Sequence, residues 1–280
     1  MDTGISGPRA DDAPAGTAWS WRLAPAAAVC GSAFLLFAVQ WRAAGYGLLL
    51  AGLLLAVALD RLLARHLLLV GAGLAIISTM SLRADLTDAG MLRFTVTLGA
   101  AVAVPYLVSR FVFREQVIRF PVRTGRPWSR LEWSYLGVVV LLGYLVLPAY
   151  FIGSGVYRNW PEVTTPELVG RLFVGVNGVG LWDELFFVCT VFALLRRHFA
   201  FWPANLLQAT VFVSFLWELG YRSWGPLLTV PFVLVQGWTF ARTRSLPYVV
   251  SVHLLFDLVV FGVLVQAHNP DLPELFVTAP

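Results

Sequence analysis

The sequence predicts an all-α, polytopic membrane protein, with about eight to nine transmembrane helices and a polar intramembrane cavity in the C-terminal half. Three observations carry this expectation. The 280 residues are 58% hydrophobic and 13% charged, against about 45–50% apolar and about 25% charged in a soluble domain. Mean hydropathy is +0.74. Apolar stretches recur on the scale of the roughly 20 helical residues that cross a hydrocarbon core of about 30 Å. The composition excludes a soluble enzyme, and with two cysteines, Cys30 and Cys189, both inside apolar runs, it excludes a disulfide scaffold.

Taken in order, residues 1–22 carry Asp2, Asp11 and Asp12 and lack the basic start of a signal peptide, so they read as a disordered cytoplasmic tail. N-terminal transmembrane helices are expected within 23–152, at 23–41, 43–60, 66–82, 92–110 and 133–152. A second block, 153–268, holds spans at 167–197, 203–221, 224–241 and 246–267, followed by a short C-terminal tail, 269–280. The stretch 167–197 is long for one span. Its Asn177, Gly178, Val179 and Gly180 are expected to break or kink it, so that a new helix begins at Leu181.

All 20 basic residues are arginine, which suggests a GC-rich bacterial genome. With the N-terminus in the cytoplasm, 14 of them fall on cytoplasmic ends and six on the other side, as the positive-inside rule requires. The expected location is therefore a bacterial cytoplasmic membrane. The basic loop 111–131 sets arginines beside Phe and Trp, a pattern that suits anionic lipid headgroups rather than nucleic acid.

An ionisable side chain at the bilayer centre costs about 2.5–3.5 kcal/mol on insertion scales, which makes each one a candidate for function. Inside the expected spans stand Asp183, Glu184, Glu218 and Asp257, with Asp60 at a span end and His253 as the one deep histidine. His253 and Asp257 are four apart and share a helical face, as do Glu218 and Tyr221 at three apart. Asp183 and Glu184 are adjacent, so both can border a cavity while one reaches its centre. These groups could equally act as interhelical glue, Glu218 could pair with Arg222, and Tyr221 could be an interfacial aromatic.

The run GLWDELFFVCTVFALLRR at 180–197 resembles the first signature of the CAAX-protease and bacteriocin-processing family of intramembrane proteases, a Glu-Glu pair followed by three apolar residues and an arginine. ARTRSLPYVVSVHLLFD at 241–257 resembles the third signature, a His followed four residues later by Asn or Asp. Between them, VSFLWELGY at 213–221 stands where the family has an aromatic and then a histidine. By this resemblance Asp183 and Glu184 take the two glutamate positions, Val188 the arginine position and Tyr221 the second-signature histidine position. The resemblance implies a glutamate-type mechanism without bound metal, although acids and one histidine are adequate hard ligands for a divalent ion. It implies that Asp183 or Glu184 activates water and that His253, held by Asp257, donates to the oxyanion, with Glu218 and Tyr221 lining the site. The implied substrate is a membrane-associated peptide or protein. Two other functions fit the same residues: an inactive relative that binds a partner or confers immunity, and a transporter whose carboxylates relay protons.

Overall fold

A computed structural model describes residues 20–278 with the exception of 124. The expected N-terminal tail therefore lies mostly outside the described residues. Among the described residues the chain is helical throughout and has no strand. Its long helices are α1 (Leu23–Ala38), α2 (Arg42–Leu59), α3 (Arg61–Ile77), α4 (Asp88–Val112), α5 (Arg130–Gly153), α6 (Pro166–Leu195), α7 (Phe201–Leu219), α8 (Pro226–Thr243) and α9 (Leu246–His268). Helices α2, α4, α5, α6 and α9 are long and apolar enough to cross a membrane, and the protein is an integral membrane protein.

The starts of these helices follow from local sequence. Asp60 joins α2 to α3 by itself: its carboxylate accepts from the backbone N–H groups of Leu62 and Leu63 at 2.8 and 3.1 Å and pairs with Arg22 at 2.7 Å. Thr87 caps α4, and Ser129 with Glu132 forms a reciprocal capping box at α5. Thr165 caps α6 ahead of Pro166, which supplies no N–H at a position where helices leave it unpaired anyway. Ser245 caps α9.

The helices alternate in direction. Gly45 and Gly52 of α2 press on Leu36 and Val29 of α1, an antiparallel register, while the Tyr248 hydroxyl of α9 donates to the Glu132 carbonyl of α5, and Gly143 packs on Val259, a parallel one. The arginine-rich turns thus share one end of the bundle. One apolar core runs through both expected blocks, from Ala26 to Phe276. Residues 269–278 fold back onto it: the Tyr144 hydroxyl donates to the Leu275 carbonyl at 2.9 Å, and the Leu275 N–H donates to Gln266 at 3.0 Å.

One expectation is overturned. Helix α6 does not break at 177–180, and no new helix begins at Leu181; it runs as α-helix from Pro166 to Asp183 and widens to a π-helix over Glu184–Phe192. Asn177 stays in the helix by donating to the Phe173 carbonyl at 2.8 Å. Gly180 serves packing rather than a turn, because a Cβ there would collide with the Asp257 carboxylate.

Candidate active site

Helix α6 brings Asp183 and Glu184 to the middle of the bundle, and Trp182 fixes them there. Its indole N–H donates to the Leu98 carbonyl of α4, and its ring stacks on Phe186 at 5.1 Å. Helix α9 packs antiparallel against α6 and delivers His253 and Asp257. Gly180 opens the space that lets the Asp257 carboxylate lie against the α6 backbone.

The four groups meet, in an arrangement that divides them. Glu184 is fully buried; its Oε1 accepts from His253 Nδ1 at 2.7 Å and from Gln236 Nε2 of α8 at 2.7 Å. Gln236 Nε2 also donates to the Val249 carbonyl at 3.1 Å, which ties α8 to α9. With its Nδ1–H committed to Glu184, His253 has Nε2 left over: an acceptor in the neutral ring, a donor in the imidazolium. That nitrogen stands 3.7 Å from Asp183 Oδ2 and 3.9 Å from Asp257 Oδ2, too far for direct hydrogen bonds and close enough for a bridging water. Asp183 Oδ1 has no hydrogen-bond partner. The resemblance implied that Asp257 holds His253; in the structure Glu184 makes that bond, because it lies on the Nδ1 side of the ring and Asp257 on the Nε2 side.

A cavity of about 330 Å³ opens above these groups, between α4 and α6. Asp183, His253 and Asp257 form its polar floor, and Tyr221 lines it from the loop after α7. Glu184 is not among its lining residues. Tyr221 is held edge-on against Trp160 at 5.3 Å, across Gly220, whose φ of +141° is open to glycine. Glu218 lies elsewhere. Its Oε1 accepts from the Leu82 N–H at 3.2 Å, and it lines a separate polar cavity of about 340 Å³ with Gln40, Arg42 and Arg83. Arg222 sits over the Trp217 ring rather than in an ion pair with Glu218. Val188 is buried in the π-helical stretch. Among the described residues no three His, Cys, Asp or Glu side chains are grouped to hold a metal ion.

Residues 165–259 match the family model described as Rce1-like, type II CAAX prenyl endopeptidase Rce1-like. This region is similar to the CAAX endopeptidases. The match starts at the N-cap of α6 and ends within α9, so the CAAX-endopeptidase-like region holds Asp183, Glu184, Tyr221, Gln236, His253 and Asp257 together. No curated protein and no solved structure matches the chain.

Sequence reasoning missed Gln236, Gly180 and the wall supplied by α4. Gln236 carried a usable signal, an amide in the apolar run PFVLVQGWTF, but a search restricted to ionisable groups passes over it. His253 is also not the one buried histidine: His66 in α3 is 2% exposed. The expected span began at His66 and so put it at an edge, whereas α3 begins at Arg61 and carries His66 into the core.

Proposed function

We propose that the protein is an intramembrane endopeptidase in which Asp183 activates the attacking water and His253 stabilises the oxyanion. The observation that carries this reading is the cavity floor: Asp183 and His253 both line it, with His253 Nε2 3.7 Å from Asp183 Oδ2. A water held between them sits beside a proton acceptor. The water oxygen adds to the substrate carbonyl carbon while its proton passes to Asp183. The carbonyl π electrons move onto oxygen, where the His253 imidazolium, its Nδ1–H bonded to Glu184, stabilises the charge. Collapse breaks the C–N bond, and the proton on Asp183 leaves with the amine.

Glu184 and Gln236 then act as positioning residues that fix the His253 ring, and Asp257 supplies a carboxylate on its Nε2 side. The family description supports peptide-bond cleavage as the reaction class. Val188 and Tyr221 at the family's arginine and histidine positions favour the rival reading of an inactive binding or immunity protein. A peptidomic comparison of cells carrying the native protein, Asp183→Asn or His253→Ala at equal protein levels separates the two. A defined product lost in both variants supports hydrolysis; an unchanged peptide population with both variants folded assigns the site to binding.

A further inference from the structure

The cavity is open at one end of the bundle and sealed at the other. Its upper wall is Ala84, Asp85 and Leu86 from the α3–α4 turn, Trp160 from the α5–α6 turn and Tyr221 from the α7–α8 turn. All three turns belong to the arginine-poor end. Thr95 of α4 and Val174 and Gly178 of α6 line the cavity and are themselves exposed, so it also opens sideways between these helices. Asp85 marks the rim. Thr87 donates to it through hydroxyl and backbone at 2.7 and 3.0 Å and holds its carboxyl below the usual range, and Arg93 pairs with it at 3.0 Å.

Toward the arginine-rich end the floor is closed. Phe186, Phe187 and Phe212 are fully buried, with Phe187 stacked on Phe212 at 4.1 Å, and Cys189, Leu246 and Val249 form a second buried plug beneath Glu184. Water and peptide therefore reach Asp183 from the end that carries six of the 20 arginines. By the positive-inside rule that end is not cytoplasmic.

We infer that the site is served from the non-cytoplasmic side, and that its substrate is an apolar polypeptide segment lying in that half of the membrane. The substrate class rests on the hydrolase reading; the sidedness does not. Leu86, Met91, Phe94, Leu98, Leu172 and Val176 give the cavity apolar walls, while Gly175, Gly178 and Gly180 leave one face without side chains. That shape takes a main chain with apolar side chains and offers little to a charged peptide. A cytoplasmic substrate would have to pass the aromatic plug.

Single cysteines test this in a bacterial host, because the native Cys30 and Cys189 are buried thiols and the parent protein is the unlabelled control. A membrane-impermeant maleimide is applied to intact cells and to inverted vesicles. Ala84→Cys and Ser81→Cys are expected to label on intact cells and to lose labelling in inverted vesicles. Gln116→Cys, on the basic loop, is expected to do the reverse. Two sites are used at the mouth so that one misfolded variant leaves the other informative. Labelling of the mouth from inverted vesicles, or of Gln116→Cys on intact cells, overturns the sidedness. For the substrate class, maleimide-labelled Thr95→Cys is expected to lose product formation, and full activity after labelling overturns entry along this wall. Absence of any product from unlabelled protein refutes hydrolysis and leaves the sidedness standing on the labelling alone.

Discussion

Two histidines in this protein are buried among polar partners, and their surroundings differ in one respect. His66 at the basic end donates from Nε2 to Glu115 at 2.7 Å, and its Nδ1 meets His198 Nε2 at 2.7 Å, so both ring nitrogens are used. His253 is tied through Nδ1 to Glu184 at the same distance, but its Nε2 is left 3.7 and 3.9 Å from two carboxylates at the floor of a cavity. The first ring is saturated and joins α3 to the loops before α5 and before α7. The second keeps a nitrogen without a direct hydrogen bond in a ring that lines a cavity. Burial and a carboxylate partner are therefore common to both; the ring nitrogen left without a hydrogen bond beside a cavity is what separates His253 from His66.

The strongest way to break this contrast is beside that nitrogen. Asp183→Asn, nearly isosteric, is expected to lower product formation by roughly 10²–10⁴-fold, the range for removal of a general base, with thermal stability in detergent unchanged or raised. Next comes Gly180→Ala, which forces Asp257 off the α6 backbone; a displacement of about 1 Å predicts ~100-fold lower turnover, and a second substitution at Asp257 should then add little. Gln236→Leu removes one of two donors to Glu184, and a hydrogen bond of about 1–1.5 kcal/mol corresponds to roughly 10-fold in rate. Its pH–rate profile should shift with KM little changed, an outcome that a merely structural glutamine would not produce.

The saturated histidine makes the opposite prediction. His66→Phe should leave turnover per folded molecule unaltered and cost about 1–3 kcal/mol of stability, since Glu115 and His198 lose their shared partner. The smallest effect is on pH dependence. Burial, then the neighbouring His66, lowers the pKa of His198 from 6.5 to about 4. The unfolded chain gains this proton near 6.5 and the folded protein near 4, so acidification through that window favours unfolding, and stability is regained as pH rises. His198→Gln should flatten this part of the melting-temperature profile, a change of about 5 °C or less.

Much of the fold was legible because lipid leaves so few options. Nine expected spans correspond to nine long helices among the described residues, five of them long and apolar enough to cross a membrane, with ends that differ by a few residues, because backbone groups in hydrocarbon must pair within their own segment. The acids and His253 were legible for the same reason, as charges are rare inside spans. Their division of labour was not. The facts that Glu184 turns inward to Gln236 and that Asp183 faces the cavity depend on α8 and α9 docking on α6, and no spacing in one helix encodes that. Glu218 shows the same limit from the other side: three residues from Tyr221 on a nominally shared face, it serves a different cavity, because the chain leaves helical geometry at Gly220. The glycine at 180 reads as a breaker in isolation and proves to be clearance for a neighbour.

The π-helical stretch Glu184–Phe192 has a consequence best put in terms of insertions and deletions. Bonds spanning five residues advance the chain around the helix axis more slowly than α-helical ones, and the Thr190 hydroxyl bonded to the Leu185 carbonyl marks this spacing. The stretch carries surplus residues, and they set the phase between Asp183 at one side and His198 at the other. Loss of a single codon between 185 and 192 would change both the residue count and the twist per residue, and so turn everything beyond it relative to the acid pair. Asp183 would keep its station and His198 would lose His66, so this helix tolerates substitution far better than a change of length.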